Sequence, residues 1–430
     1  MNEQAQAVER IIGFDSHPDS FTAAVVSGPT PVAALTEKVF NKIAMAQLQS
    51  WAKKHTTAQD LFVLEASGNS FQVVRALRAC ERRAKVLESC QMGKLKEHHA
   101  NNDKISAVRI AKAYLAGTAK EVWVPDDKTQ EWRDWFHAYR KATKRTTQMR
   151  ARLRSYLSDN GVRLRAHTSL TKIGQLEEQI RQARQWSTRQ WQVIEITLLE
   201  LRHADQQRQH WRSLIAQEVL ADPELLSLVR LCGVREMVAF ALGAFIGDIK
   251  RFAEPKKLVK YVGLNPAFDD SGETSWSGGI GGHGNKYLRC LLIEAAHSIL
   301  RCSQTPLAQW GKRLLARKGS LNLAVAAVAR KLTVAAWYLF KGQWTPLEEI
   351  DDRLVFKVGK IIGSVGQPKA TTAAKERKEY REEIYQRLKI GRVYILDPNQ
   401  KFIPKTPAAK TAAAATDAPA TNLAQEYGLR

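Results

Sequence analysis

Residues 8–27 read VERIIGFDSHPDSFTAAVVS: a short β-rich run, the polar turn Ser16-His17-Pro18-Asp19-Ser20, and a second β-rich run. That pattern predicts strand–turn–strand. A helical stretch is expected over 39–54 (VFNKIAMAQLQSWAKK), then a strand at Leu61-Phe62-Val63-Leu64. Helical spacing returns from Asn69 to Glu81, Ala84 to Leu87 reads as a further short strand, and 106–116 (SAVRIAKAYLA) reads as an amphipathic helix. Strands mixed with helices over residues 8–122 predict one α/β domain.

From Thr129 to about Leu220 the character changes. Glycine falls to Gly161 and Gly174, while Arg, Gln and Leu recur at helical spacing. Two or three long helices are expected over 129–220, broken near Ser158-Asp159-Asn160-Gly161. Between Arg140 and Arg165 there are nine Lys/Arg and one acid, Asp159. A solvated helix face is the plain alternative; the one-sided charge favours phosphate contacts through Arg140, Lys141, Lys144, Arg145, Arg150, Arg152 and Arg154. Trp132, Trp135, Trp186, Trp191 and Trp211 are expected to pack helices rather than stack on bases. Residues 222–345 form a third, mostly helical block interrupted by a Gly-rich loop. From 366 to 430 the chain turns Lys/Glu-rich and then Ala/Thr/Pro-rich, a low-complexity tail.

Over 430 residues, 66 Lys+Arg stand against 43 Asp+Glu, a net charge of +23. Such an excess calls for a polyanionic partner, nucleic acid or an anionic membrane face. With 44% apolar residues, 11 Trp, 10 Tyr and 13 Phe, the chain can build real cores. Five Cys (80, 90, 232, 290 and 302) form no C-x-x-C pair, against a zinc ribbon or disulfide framework and in keeping with a reducing cytoplasm. The N-terminus lacks a signal-peptide pattern. The most apolar stretch, Leu321 to Phe340, is split by Arg330 and Lys331 and reads as too short of apolar character to span a bilayer. No membrane role is therefore expected, and nucleic acid is.

Asp15 ends one predicted strand, Glu65 ends another, and Asp103 precedes a predicted helix. Carboxylates at neighbouring strand ends can converge, and Mg²⁺ takes oxygen ligands of that kind. Two such ions can serve phosphodiester chemistry, activating the attacking oxygen and stabilising the leaving one. Taken singly, each acid reads equally as a turn residue. Residues 261–289 read YVGLNPAFDDSGETSWSGGIGGHGNKYLR. Gly279 to Gly284 fits G-x-G-x-x-G, but it follows a polar loop without a βαβ unit, so a dinucleotide site is not expected. Seven glycines between Gly263 and Gly284 suggest a loop approaching phosphate, with Lys286 and Arg289 following on the next helix; a turn-rich surface loop is the alternative.

The segments IIGFDSHPDSF, LFVLEASGN and NNDKISAVRIA resemble the three acidic motifs of the DEDD transposases of bacterial insertion sequences, the group called insertion-sequence one-ten with its eleven-eleven subgroup. The resemblance implies an RNase H-like (RuvC-like) N-terminal domain, a long helical or coiled-coil middle, and a mostly α C-terminal transposase domain. It maps the family's acids onto Asp15, Glu65 and Asp103, which would hold Mg²⁺. The family's last acid falls on Ser106, a neutral and weaker ligand that is also a good helix N-cap. Gly263-Leu264-Asn265-Pro266, Ser271-Gly272, Gly278-Gly279-Ile280, Gly284-Asn285 and Leu288-Arg289 resemble the family's second motif, whose Ser, here Ser271, is the proposed nucleophile; Ser275 and Ser277 lie near enough to be rivals. LVRLCGVREMVAFALGAFIGDIKRF resembles a helix–hairpin–helix-like segment around Gly233. The implied partners are donor and target DNA, a structured guide (bridge) RNA, and further copies of the chain in a dimer or tetramer, at the bacterial nucleoid. Two alternatives remain open: a Holliday-junction-resolvase-like nuclease, and a catalytically weakened nucleic-acid-binding relative.

Overall fold

The computed structural model describes residues 10–89, 102–164, 173–271, 274–281, 283–343, 353–365, 372–388, 394–396 and 402–404. It divides into two units, residues 1–126 and 127–430.

In the first unit, β1 (Arg10–Ser16), β2 (Ser20–Ser27), β3 (Leu35–Ala44), β4 (Leu61–Glu65), β5 (Arg83–Leu87) and β6 (Glu121–Val122) form one sheet in the order β3-β2-β1-β4-β5-β6. β1, β4 and β5 are parallel; β2, β3 and β6 run antiparallel to their neighbours. Both faces are covered, so the central strands are near-continuously apolar. Ile12, Phe14, Phe62 and Leu64 pack towards α1 (Leu48–His55) and α2 (Ser70–Arg78). Ile11, Leu61 and Val63 pack towards Ala107, Ile110 and Ala111 of α3 (Asp103–Leu115). Each large side chain buried this way contributes about 1.5–3 kcal/mol.

Strand parity fixes the rest. Gly13 and Asp15 share the α3 face with Ile11, and Glu65 shares it with Leu61 and Val63. A Cβ at Gly13 would collide with the carbonyl oxygen of Ala107 and would lie 3.0 Å from Ala111 Cβ. The bare backbone is what lets α3 lie against β1.

The helix expected over 39–54 is half strand. Residues up to Ala44 pair with β2, from Ser20↔Ala44 to Ser27↔Leu35, and α1 starts only at Leu48. Cross-strand pairing overrides the local helical spacing, and Phe40 lies edge-on to Trp51, 5.1 Å between centroids.

The second unit is helical. Long helices α4 (Asp127–Asp159) and α6 (Thr188–Ala221) flank α5 (Ile173–Ala183). One core joins Phe136 of α4 and Ile215, Val219 and Leu220 of α6 to α7 (Pro223–Leu228), α8 (Glu236–Ile246), α9 (Pro255–Val262), α10 (Lys286–Cys302), α11 (Pro306–Lys318) and α12 (Leu321–Phe340). Residues Leu354, Val358 and Ile361 of α13 (Leu354–Ser364) and Ile384 of α14 (Thr372–Arg387) belong to it as well. The blocks 129–220 and 222–345 and part of the tail from 366 thus share one core. A separate cluster gathers Leu153 and Leu157 of α4, Leu176 and Ile180 of α5, and Ile194, Leu198 and Leu201 of α6. Between the two clusters lies Asp205, 4% exposed, which accepts from Arg208 at 2.7 Å and Gln209 at 2.6 Å and faces Arg150 of α4 at 3.5 Å.

The tryptophans pack helices. Trp132 and Trp135 lie against Phe240, Trp135 meets Trp211 at 6.3 Å, and Trp186 and Trp191 border the smaller cluster. Helix α12 does reach the length and apolar character of a membrane span, contrary to the expectation from sequence. Its packing is that of a core helix: Ala324, Val325, Val328, Ala329, Leu332 and Ala336 are buried, and Trp337 Nε1 donates to Phe252 O at 2.9 Å. The Gly-rich stretch is not a loop throughout, since β7 (Pro266–Ser271) and β8 (Thr274–Ile280) pair antiparallel. A second small pair joins β9 (Tyr394–Leu396) to β10 (Phe402–Pro404).

Gly13→Ala is expected to destabilise the first unit by about 1–3 kcal/mol in urea unfolding, because the added methyl meets backbone that cannot step aside. Gly68→Ala, where nothing lies within 4 Å of the new methyl, is expected to stay within about 0.5 kcal/mol. Equal effects at the two positions would refute the close-approach account.

Candidate active site

Parallel pairing sets Phe14 beside Leu64, so the next residues along, Asp15 and Glu65, leave adjacent strand ends on the face that α3 covers. Helix α3 supplies the third carboxylate from its first turn. Asn102, not Ser106, is its N-cap: the Asn102 side chain accepts from Ile105 N at 2.9 Å, and the helix starts three residues before the sequence expectation. Asp103 therefore sits on the helix's first residue, where the positive end of the dipole favours a carboxylate. Ser106 lies one turn further in, 7% exposed.

Among the described residues, Asp15, His17 and Asp103 each bring one ligand atom to within 4.8 Å of the others. His17 Nε2 lies 3.5 Å from Asp103 Oδ1. Glu65 does not belong to that grouping. Burial pushes the Asp15 carboxyl above the usual aspartate range. His17 opposes the rise, Asp103 adds to it, and Arg109 and a hydrogen bond from Ser106 oppose it again. Arg109 Nη2 in turn donates to Ser106 Oγ at 3.3 Å. Ser106 is thus a neutral link between the Asp15 carboxylate and the Arg109 guanidinium.

The turn after β1 is held from the next strand's loop. Asn69 Nδ2 donates to His17 O at 2.9 Å, and Ser16 Oγ donates to Asn69 Oδ1 at 3.1 Å. Two converging carboxylates, one of them partly desolvated, and an imidazole suit a divalent cation, whose charge would offset the carboxylate repulsion. His17 and Arg109 escaped the sequence reading. His17 was hidden inside a turn-forming pentapeptide, whereas Arg109 stands three residues after Ser106, a spacing that puts both on one helix face.

In the second unit, Ser271 closes β7 opposite Thr274, while Ser275 and Ser277 lie along β8 opposite Asp270 and Phe268. Gly272, Glu273 and Gly282 of that motif lie outside the described residues. Lys286 opens α10 as expected. Arg289 Nη1 donates to His283 O at 2.6 Å, tying the end of the glycine stretch to α10. In the basic run, Arg150 faces Asp205 and Arg152 faces Glu200 at 3.6 Å, so acids scarce along α4 come from the facing α6. Arg140 lies over the Tyr287 ring at 4.7 Å; Lys141, Lys144, Arg145 and Arg154 are exposed.

A raised folded-state pKa means that Asp15 adds to stability below the ordinary aspartate value of 3.8, an addition lost as pH rises through the folded value. In chelator, Asp15→Asn is therefore expected to stabilise the first unit at neutral pH, with the gain gone below 3.8. Ser106→Ala is expected to raise the Asp15 pKa further in a carboxyl NMR titration. A lowered or unchanged value would break the Ser106–Asp15 link.

Residues 227–310 match the model of the Transposase IS116/IS110/IS902 family. The chain is 25% identical over 272 residues to a Sinorhizobium fredii protein named as transposase y4qE, covering 63% of this chain and 65% of that protein. It is 30% identical over 148 residues to a Pseudomonas aeruginosa protein named as a family 20 transposase, covering 34% and 42%. It is 29% identical over 156 residues to the transposase for insertion sequence element IS1111A of Coxiella burnetii, covering 36% and 43%. The matches thus span less than two thirds of each relative's length.

Proposed function

We propose that this chain is a DNA transposase of the IS116/IS110/IS902 family, cutting and rejoining donor and target DNA. The observation that carries the reading is the convergence of Asp15, Asp103 and His17 at the strand ends of the first unit, in a chain whose residues 227–310 match that family. The sheet order, with β1, β4 and β5 parallel and β2 and β3 antiparallel, supports an RNase H-like (RuvC-like) fold for that unit.

Asp15 and Asp103, with the neighbouring Glu65, would hold Mg²⁺ through carboxylate oxygens, with His17 set against Asp103; the ion when bound lowers the cost of charge developing on phosphodiester oxygens. Asp15 is tuned by its neighbours: Ser106 and Arg109 keep its carboxylate available against the pull of burial. Ser271 is the nucleophile of this reading: its Oγ attacks a DNA phosphodiester and expels one strand end as a free hydroxyl, leaving a phosphoserine link; the hydroxyl of an exchanged strand then attacks that phosphorus, reforms a phosphodiester and returns the serine hydroxyl. The exposed Lys141, Lys144, Arg145 and Arg154 supply phosphate contacts to DNA and to a structured guide RNA, which A-form geometry presents through shape and backbone. Several copies of the chain would be needed to cut four strands.

One observation favours a second reading, a catalytically weakened relative: the place of the family's fourth acid is taken by Ser106, so the site carries one negative charge fewer for a dication.

The test is cleavage of a plasmid bearing the element's ends, with Mg²⁺ and RNA transcribed from the element's flank. Asp15→Asn and Asp103→Asn are expected to reduce cleavage to background. Ser271→Ala is expected to abolish DNA-linked protein on a denaturing gel. Full strand exchange by Ser271→Ala would remove the serine route and favour plain hydrolysis. Ser106→Asp is expected to raise Mg²⁺-dependent cleavage; equal activity and metal affinity in both forms would remove position 106 from the metal site.

A further inference from the structure

The acids at the two strand ends of the first unit stand just past the pairing that joins their strands. Phe14↔Leu64 is the last pair between β1 and β4, one residue short of both Asp15 and Glu65. Each acid is paired on its outer side instead, Asp15 with Thr22 of β2 and Glu65 with Leu87 of β5, where Ala66 N also donates to Leu87 O at 2.8 Å. Beyond Phe14 and Leu64 the two strands lead into different loops, and side chains cross the gap between them.

Asn69 is the centre of that crossing. Its Oδ1 accepts from Ser16 Oγ at 3.1 Å and from Ser67 Oγ at 3.0 Å, and its Nδ2 donates to His17 O at 2.9 Å. The two serine oxygens lie 3.2 Å apart. The loop that presents Asn69 is locked in turn, since Ser70 Oγ accepts from Ser67 N at 3.2 Å and donates to Ser67 O at 3.0 Å. Asn69 stands immediately before α2, where an Asn side chain ordinarily caps the helix, yet it makes no capping bond. The carboxamide is turned from its own helix to the β1 turn. His17 is thereby held at both main-chain groups, because its N–H donates to Ser20 O at 2.9 Å, and its Nε2 stands 3.5 Å from Asp103 Oδ1.

We propose that Asn69 is a positioning residue, whose carboxamide sets the separation of the β1 and β4 exits and with it the spacing of Asp15 and Glu65 and the aim of His17. It acts through those residues and touches neither cation nor DNA. The inference rests on the reading of the acids as a Mg²⁺ site and adds to it what holds that site in shape. Mg²⁺ demands near-octahedral ligands at ~2.0–2.1 Å, whereas Ca²⁺ takes a variable number at ~2.3–2.6 Å and accepts more misplacement. Loss of positioning therefore weakens the two ions unequally, which a general loss of folded protein would not do.

Titration calorimetry of the full-length chain, with Mg²⁺ and separately with Ca²⁺, reads this directly. Asn69→Ala is expected to weaken Mg²⁺ binding by about 10-fold, the lower end of the loss when a residue that orients metal ligands is removed, and Ca²⁺ binding distinctly less. Ser16→Ala, which removes one bond across the gap and keeps the rest, is expected to shift the Mg²⁺-to-Ca²⁺ ratio the same way by a smaller factor. Gln72→Ala, an exposed position further along α2, is expected to bind both ions as the unaltered chain does. Unchanged Mg²⁺ affinity in Asn69→Ala would overturn the proposal, as would an equal loss for both ions. If Asp15→Asn weakens Mg²⁺ and Asn69→Ala does not, the metal reading stands without the positioning role. If Asp15→Asn binds Mg²⁺ as tightly as the unaltered chain, the metal reading falls and takes the proposal with it.

Discussion

A missing side chain governs the first unit. Because Gly13 presents no Cβ, α3 settles onto β1 with the Ala107 carbonyl against the strand backbone. That contact sets the height of the helix over the sheet, and with it the distance from Asp103 and Ser106 to Asp15 two residues beyond the glycine. The carboxylates converge because two backbones touch, and the like charges are then managed by His17, Ser106 and Arg109. Raised carboxyl affinity for protons at Asp15 is first the cost of holding a carboxylate in a half-buried place, to which the nearby Asp103 adds a smaller share.

Much of this was legible in sequence, for physical reasons that differ by residue. β1, β2, β4 and β5 are apolar runs bounded by polar turns, and the acids at 15 and 65 stand where those runs stop. The first half of the 39–54 segment was not legible, because its strand state comes from pairing with β2, a partner supplied by the fold. The Gly-rich stretch misled in a similar way: glycines speak for a loop, while main-chain pairing from Pro266 to Ile280 makes a hairpin that needs few side chains. Ser106 was legible as a residue and illegible as a role. A serine at the head of a helical run reads as a cap, and only the position of Asn102 shows that the helix has already begun.

Charge gains structure once the chain is folded. Read along the sequence, the run from Arg140 to Arg165 is nearly free of acids; read across α4 and α6, Arg150 and Arg152 face Asp205 and Glu200. Within that run, the cations of α4 that stay exposed without an acid of α6 against them are a subset: Lys141, Lys144, Arg145 and Arg154.

Asp205 gives the pairing of α4 and α6 a consequence of its own. Two apolar clusters, one at each stretch of α6, would by themselves tolerate sliding, since leucine and isoleucine faces repeat from turn to turn. A slip of α6 by one turn, about 5.4 Å, would carry Asp205 along with its own partners Arg208 and Gln209 and take it from Arg150, leaving the half-buried guanidinium of α4 without its carboxylate. The carboxylate between the clusters thus acts as an alignment mark. It adds little to how strongly the two helices hold together, and it determines at which turn they do so.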